Sequence, residues 1–527
     1  MATPEELLDR LNRCLDHFKA QRVEDLTDVY AYHPDIRRAR LGSGAFGETF
    51  VVKSVKDPKE YLRVAKCIPK ARISKTALQI QHICAEIAVT TKMYSPFLNH
   101  AVGLYHNDSH LYLILEMCDG PTPPLRTRLY HLFARYAPPR IPEVEGIAQG
   151  YEKDWASEKE RFIEAKGVPS NPEEEEVLAQ EEKQFIEAKM VNMLTQLGVK
   201  KEAPTKSDLL DYIVYHKKVP EQKAQIILRQ CLKGIQFMHD NQVVHRDIKT
   251  ENVILGETRS AEPITDENGK VTGVRIREKI QAKLIDFGIV KYLRLDTFPT
   301  SPSPGTFENA TDPFAGDATF DENHNTASGW SANVVNVTPC GTELYSSLEA
   351  LTGILNSGAG KSKWSSTSDM LPKLDVYGCG TMLFCMLNGR PPFRLPNQRV
   401  KNQLEKLQLI QELIAAGPKF SDTISPAGKA MVLKLMSNDA NARPYAYQAL
   451  EDRYFESTGD TYTYEVSCDG TVSVVADQST PEEEQEAAQQ LREDQVMDAI
   501  RGKEDNGDYK NKDASVNEAE GGENATC

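Results

Sequence analysis

A run of closely spaced glycines near the start of the chain has the composition of a phosphate-binding loop. Residues 41–47 read LGSGAFG and fit the pattern G-x-G-x-x-G. A Rossmann dinucleotide site shares this pattern, but its glycines open a helix, whereas here an extended run, ETFVV, follows. We therefore expect a β-hairpin tip, where backbone N–H groups can approach phosphates without Cβ clashes. A plain hairpin turn is the alternative for this segment alone.

A lysine within a later apolar run is the next candidate for phosphate chemistry. Lys66 lies in the run RVAKCI, which is typical of a strand. A lysine that faces inward needs a counter-ion, because an unpaired buried charge is costly. Glu86, in the helical segment that follows, can supply one. The alternative is a surface lysine on an edge strand.

Two later segments place acidic, basic and amide side chains at short spacing. Residues 244–255 read VHRDIKTENVIL, and residues 284–288 read LIDFG. With these segments in this order, the chain resembles the eukaryotic protein kinases. The resemblance implies an α+β, bilobal protein kinase fold with a small β-rich N-lobe and a large helical C-lobe.

The resemblance also implies the roles of individual residues in phosphoryl transfer. Asp247 would orient the attacking hydroxyl and accept its proton. Lys249 would steady the γ-phosphate, and a lysine at this position is similar to the serine/threonine branch of the family. Lys66 would grip the α- and β-phosphates and pair with Glu86.

ATP and Mg²⁺ are the cofactors that the resemblance implies. The expected Mg²⁺ ligands are Asn252 and Asp286, which offer hard oxygen atoms. The residues expected to bind ATP lie in the glycine-rich loop, on the strand with the lysine and in the hinge between the lobes. They are Leu41, Gly42, Ser43, Gly44, Ala45, Phe46, Gly47, Glu48, Thr49, Lys66, Glu116 and Cys118.

The segment at 286–349 resembles a long activation segment, roughly twice the length expected from the family template. Thr338 lies at the position that matches the usual activating phosphothreonine, and Arg246 is its expected partner through charge-assisted hydrogen bonds. Turn chemistry in a flexible loop is the alternative for Thr338. Near the end of the segment, Glu349 is expected to pair with Arg443.

The helices and strands that must position these residues are predicted from the periodicity of apolar residues and from cap and turn residues. Thr3 and Glu6 are typical of a capping box that starts a helix. Asn268 and Gly269 indicate a hairpin turn. A small lobe is expected from strands at 49–52, 63–68, 101–105 and 111–116 and a helix at 74–93.

The chain is predicted to comprise three regions. Residues 1–34 form a helical extension, residues 35–456 the kinase domain, and residues 457–527 an acidic, largely disordered tail. An insertion at 121–206, with a helix in its second half, leaves directly from the hinge. We hypothesise that it docks a partner or shields the cleft. A tolerated surface elaboration is the alternative.

Composition narrows the classes of partner. The formal net charge of -15 argues against nucleic acid or an anionic membrane as the main partner. The ten cysteines form no C-x-x-C pair, which is typical of reduced thiols in the cytoplasm. No apolar stretch is long enough to span a bilayer. Cytoplasmic residence is therefore expected, and a nuclear pool stays open.

Three functions are compatible with these patterns. An active serine/threonine kinase is favoured, with protein substrates and an upstream activating kinase as expected partners. A pseudokinase scaffold would instead bind partners through the insertion and the tail. A kinase for small molecules is disfavoured, because a long activation segment would form a peptide-docking surface. The run CGT at 340–342 is similar to the calcium/calmodulin, Aurora or polo-like groups.

Overall fold

The computed structural model describes most of the chain up to residue 475. The described stretches are 3–32, 40–43, 47–56, 62–118, 123–199, 206–293, 334–337, 345–352, 364–367, 370–394, 403–456 and 458–475. They belong to one unit, residues 1–477. Within these stretches, no helix has the length and apolar character needed to cross a bilayer.

The described strands fall into a larger N-terminal sheet, a second sheet and two short pairs. They are β1 Gln21–Arg22, β2 Tyr30–Tyr32, β3 Arg40–Ser43, β4 Glu48–Ser54, β5 Arg63–Pro69, β6 Ala101–His106, β7 His110–Glu116, β8 Lys206–Asp208, β9 Val243–Val244, β10 Val253–Thr265, β11 Val271–Leu284, β12 Lys291–Tyr292, β13 Val334–Val337, β14 Trp364–Thr367, β15 Thr461–Ser467 and β16 Val472–Val475.

Most of the described α-helices lie in the expected insertion and in the part of the chain that follows it. They are α1 Pro4–His17, α2 Lys70–Ile73, α3 Ala77–Lys92, α4 Leu125–Tyr136, α5 Val144–Lys166, α6 Pro172–Gln196, α7 Leu209–His216, α8 Glu221–Asp240, α9 Leu371–Asn388, α10 Gln403–Ala416, α11 Pro426–Leu435 and α12 Ala446–Leu450. Short 3-10 turns lie at Leu26–Asp28, Pro138–Glu143, Thr250–Asn252 and Arg453–Phe455.

A seven-stranded sheet forms the small lobe. Its order is β1-β6-β7-β5-β4-β2, and β3 pairs with β4 outside this path. The four strands expected from the sequence are all present, and α3 follows β5 and α2. α1 begins at the predicted capping box, in which the side chain of Thr3 accepts from the backbone N–H of Glu6 and the Glu6 carboxylate accepts from that of Thr3.

The large lobe is built around two helices with opposite patterns of burial. α8 is amphipathic and buries one face, which includes Ile227 and Cys231. α9 is buried at every position from Leu371 to Leu387 except Leu374, which is partly buried. A helix that is apolar on all sides must be surrounded, and α8 and α11 pack directly against α9. The predicted bilobal α+β architecture is therefore confirmed.

The insertion packs on a second sheet, and the sequence analysis did not predict this sheet. This sheet has the order β16-β15-β11-β10-β8. Asn268 and Gly269 do form the turn between β10 and β11, where Gly269 has a φ of 77°. In the described residues 123–199, the insertion forms α4, α5 and α6 rather than a helix in its second half alone.

Apolar residues of the insertion and of the second sheet share one core. Leu129 and Phe133 of α4 pack in the same cluster as Val274 of β11 and Val466 of β15. The expected boundary of a disordered tail at residue 457 is therefore wrong, because β15 pairs with β11 along seven residue positions. Burial of β15 against the insertion explains why this segment is ordered.

Candidate active site

Lys66 occupies a central strand of the small-lobe sheet. It lies opposite Thr49 on β4 and Leu113 on β7, which excludes the alternative of an exposed edge strand. Its Nζ donates to Glu86 Oε1 of α3 and lies 3.6 Å from Asp286 Oδ1. Burial opposes the charge on Lys66, but the nearby Glu86 and Asp286 carboxylates outweigh it and raise its pKa. Lys66 is therefore a cation held by two acids from different elements.

The catalytic loop at 245–252 is anchored by one buried carboxylate of α9. Asp375 Oδ2 accepts from the backbone N–H of His245 at 2.8 Å, and Oδ1 accepts from that of Arg246 at 2.7 Å. His239 Nε2 lies 2.8 Å from Asp375 Oδ2. Arg246 adopts a φ of 68°, an unusual conformation for a non-glycine residue. The two backbone hydrogen bonds that the Asp375 carboxylate accepts hold the loop in this shape.

Three of the predicted catalytic-loop residues contact one another. Lys249 Nζ donates to Asp247 Oδ2 at 2.7 Å. Asn252 Nδ2 donates to the Asp247 carbonyl at 2.9 Å and to Asp247 Oδ2 at 3.1 Å. These contacts orient the Asp247 carboxylate, and they bring a cation and an amide beside it. The arrangement suits a group that accepts a proton from a hydroxyl while nearby charge is neutralised.

Asp286 follows β11 and lies next to the catalytic loop. The backbone N–H of Ile285 donates to the Asn252 carbonyl at 3.0 Å, so the segments that carry Asp286 and Asn252 are adjacent. Phe287 is buried and its ring centroid lies 5.4 Å from that of His245. The Asp286 side chain is 49% exposed. It can therefore reach a ligand in the cleft while its neighbour is fixed in the core.

A carboxylate and a carboxamide on adjacent segments fit a divalent cation that is shared with a phosphate. Asp286 and Asn252 supply hard oxygen atoms, and such ions keep waters or phosphate oxygens as their remaining ligands. Within the described stretches, no group of three or more His, Cys, Asp or Glu side chains could hold a metal. Asp286 and Asn252 by themselves leave coordination positions that oxygen atoms of water or of a phosphate can fill.

The hinge residue Glu116 is held by a buried network of charges. His100 Nδ1 lies 2.8 Å from Glu116 Oε1, and Lys283 Nζ donates to Oε2. Burial would raise the pKa of Glu116, but His100 and Lys283 outweigh it and lower that pKa. Because the side chain is engaged in this network, contact with adenine would fall to the backbone of Glu116. Cys118, further along the hinge, is buried.

The ends of the glycine-rich loop are described, whereas Gly44, Ala45 and Phe46 lie outside the described residues. The predicted residues Leu41, Gly42 and Ser43 are in β3, and Glu48 and Thr49 are in β4.

Gly47 has a structural reason of its own to be glycine. A Cβ at this position would lie 2.0 Å from the Cys67 carbonyl oxygen of β5.

A basic group of side chains lies beside the catalytic loop. Arg246 Nε donates to the Ile289 carbonyl at 2.6 Å. Burial first, and then the charges of Arg246 and Lys291, lower the pKa of His82 to about 4. The positive potential here therefore comes from Arg246 in the loop and Lys291 of β12, and it helps to keep His82 of α3 neutral. The sequence reading missed His82 and Lys291, because neither lies in a recognisable motif.

The predicted pair of Glu349 and Arg443 is present. Arg443 Nη1 donates to Glu349 Oε1 at 2.7 Å, and Nη2 to Oε2 at 3.3 Å. The Arg443 guanidinium also donates to the backbone carbonyls of Lys373 and Ser437. The predicted phosphosite Thr338 lies outside the described residues.

The family comparison agrees with this geometry. The sequence model of the protein kinase domain matches residues 182–309 and 322–455. The chain belongs to the protein kinase family. The matched segments contain Asp247, Asn252 and Asp286, whereas Lys66 and the glycine-rich loop precede them. Members of the family use ATP and a divalent metal.

Individual relatives are named as kinases, and one of them as a serine/threonine-protein kinase. The mouse serine/threonine-protein kinase DCLK3 is 26% identical over 256 residues, which cover 49% of this chain and 23% of the mouse protein. The rat phosphorylase b kinase gamma catalytic chain, liver/testis isoform, is 27% identical over 256 residues, which are 48% of this chain and 45% of the relative. The carbon catabolite-derepressing protein kinase of Saccharomyces cerevisiae is 22% identical over 254 residues, or 47% of this chain and 27% of the relative. The chain thus matches less than half the length of each of these relatives.

Proposed function

We propose that this protein is an active serine/threonine protein kinase that uses ATP and Mg²⁺. The observation that carries the proposal is the convergence of Glu86 and Asp286 on Lys66. These residues come from α3, the end of β11 and β5, so their contact requires both lobes to be assembled around the cleft. A scaffold that only bound partners would not need this contact.

Each side chain has a defined task in the proposed reaction. Asn252 and Asp286 would hold Mg²⁺, which neutralises phosphate charge when bound. Lys66 binds the phosphates of the nucleotide, and Glu86 holds it in place. Asp247 orients the Ser or Thr hydroxyl and accepts its proton. Lys249, beside Asp247, offsets the negative charge on the transferred group.

The test compares the wild type with Asp247→Asn in the presence of Mg²⁺ and labelled ATP. We expect labelled phosphoserine or phosphothreonine in the wild type and a loss of at least about a hundredfold in the variant. Asp240→Asn is the matched control, because Asp240 is exposed at the end of α8 and the charge change is the same. Transfer that survives Asp247→Asn undiminished would contradict the proposal.

We also propose that phosphorylation of Thr338, by this kinase or by an upstream kinase, activates the protein. The basic group formed by Arg246 and Lys291 supports this, because a phosphate needs cationic partners. Thr338→Ala is expected to lower the activity of enzyme that mass spectrometry shows to be phosphorylated at Thr338 in the wild type. Equal activities would contradict this step. Fully phosphorylated wild-type protein without transfer would favour the scaffold.

A further inference from the structure

Helix α3, which carries Glu86, is buried on almost every side. The buried residues include polar and apolar types and run without a gap: Ile83, Cys84, Ala85, Glu86, Ile87, Ala88, Val89 and Thr90. Ala85 and Val89 belong to the core of the large lobe. Ile83 and Ile87 belong to a different core, in the small lobe. A helix of this kind must be covered from two directions.

The N-terminal helix α1 supplies one of these covers. Leu7, Leu11, Cys14 and Leu15 recur at helical spacing, and each is at most 4% exposed. They share the small-lobe core with Ile83 and Ile87 of α3. Ile73 of α2, Ile80 and Cys84 of α3 and the strand residues Ile68, Leu104, Leu111 and Leu113 complete this core.

Polar and backbone contacts at the start of α1, in its middle and directly after it define its position. The capping box at Thr3 defines its start. Lys70 Nζ donates to Asn12 Oδ1 at 3.4 Å, which ties the middle of α1 to α2. After α1, β1 pairs in parallel with β6, so the chain is joined to the edge of the sheet. Cys14 of α1 and Cys84 of α3 lie in the same small-lobe core, and Cys84 is two positions before Glu86.

We propose that α1 acts as a brace in cis that holds α3 where Glu86 reaches Lys66. Leu11 and Leu15 are then positioning residues, because they touch α3 and not the nucleotide. The physical basis is that α3 has two discrete apolar covers, and loss of one lets the helix move away from the sheet. The consequence for catalysis rests on the proposed kinase function. The consequence for nucleotide binding does not.

The first test measures Mg²⁺·ATP affinity by calorimetry in the full chain. Leu11→Ala is expected to weaken binding roughly tenfold by letting α3 shift. Leu8→Ala is the matched control, since Leu8 is on the same helix but 38% exposed, and a change of less than about twofold is expected there. Leu11→Met should restore most of the affinity, because it refills the site. Unchanged affinity in a folded Leu11→Ala protein would overturn the proposal.

A double-mutant cycle separates positioning from general loss of stability. In the Glu86→Gln background, Leu11→Ala should weaken binding no further, because α3 no longer supplies the carboxylate. Two independent losses that simply add would overturn the brace. If Leu11→Ala fails to fold, Leu15→Val, a smaller truncation on the same face of α1, replaces it in the same cycle.

The kinase proposal can fail separately. The wild-type protein could bind Mg²⁺·ATP and show the predicted coupling without transferring phosphate. This result would contradict the proposed kinase activity and would still support the role of α1 as a brace.

Discussion

Replacing Lys223 tests a buried ionic network that lies between the second sheet and the large lobe. Lys223 on α8 donates to Glu257 on β10 and, at 2.7 Å, to Glu278 on β11. Arg259 Nη2 donates to Glu257 at 2.5 Å, and His131 of the insertion lies 3.3 Å from Glu278. The Lys223 and Glu257 side chains are each 1% exposed. We predict that Lys223→Met strongly destabilises the fold.

The expected magnitude follows from charge balance. The two carboxylates are matched by Lys223 and Arg259, so the variant leaves one buried negative charge without a counter-charge. Breaking a buried pair in this way costs about 3–5 kcal/mol in the free energy of unfolding. An apparent Tm at least about 5 °C lower is therefore expected. Lys223→Met combined with Glu257→Gln should recover part of the loss, because it removes the unpaired charge.

The dependence on pH has a definite sign. Burial would raise the pKa of Glu278, but Lys223, His131 and Arg259 outweigh it and hold the pKa well below its ordinary value. A depressed carboxylate pKa stabilises the fold above the unfolded pKa of about 4.3, and this contribution is lost as the pH falls through the folded pKa. The stability gap between wild type and Lys223→Met should therefore be largest at high pH and should narrow as the pH falls, because the unpaired buried carboxylate of the variant takes up a proton at a higher pH than Glu278 of the wild type does.

Thermal denaturation of the full chain at pH 7 is the assay. Lys279→Met is the matched control, because Lys279 is on the same strand as Glu278 but exposed, and its effect should stay within about 0.5 kcal/mol. A Lys223→Met protein as stable as this control would refute the reasoning. So would a stability gap that widens as the pH falls below 4.

Three further predictions concern the cleft and its supports. Arg443→Met should lower the free energy of unfolding, measured by urea denaturation, by about 3 kcal/mol, because it leaves the Glu349 carboxylate without its cation. An unchanged urea midpoint would contradict this. Gly47→Ala should lower the Tm and weaken ATP binding, because the added Cβ would clash with the backbone of β5 at a cost of about 1–3 kcal/mol. An ATP affinity equal to that of the wild type, measured by calorimetry, would contradict this. Lys283→Met should raise the pKa of Glu116. As the pH falls from 7 to 3, the Tm of the variant should therefore begin to drop at a higher pH than the Tm of the wild type.

The sequence alone determined the elements whose signals are local. The capping box at Thr3, the turn at Gly269 and the strand that carries Lys66 are set by neighbouring residues, through caps, left-handed backbone and apolar periodicity. The motif around Asp247 and the one at Asp286 identified the family, because their residues are fixed in type and spacing. The expected pairs of Lys66 with Glu86 and of Glu349 with Arg443 also formed, since a buried charge needs a partner.

Only the tertiary structure decided the contacts between segments that are remote in sequence. β15 joins β11 through pairs such as Arg275 with Glu465, which are 190 positions apart. No local periodicity could reveal that the segment after residue 456 completes a sheet on which the insertion folds. Burial of Asp375 under the catalytic loop and of Leu11 against α3 is decided in the same way. Such contacts depend on which apolar faces remain to be covered once the lobes assemble, and that is a property of the whole chain.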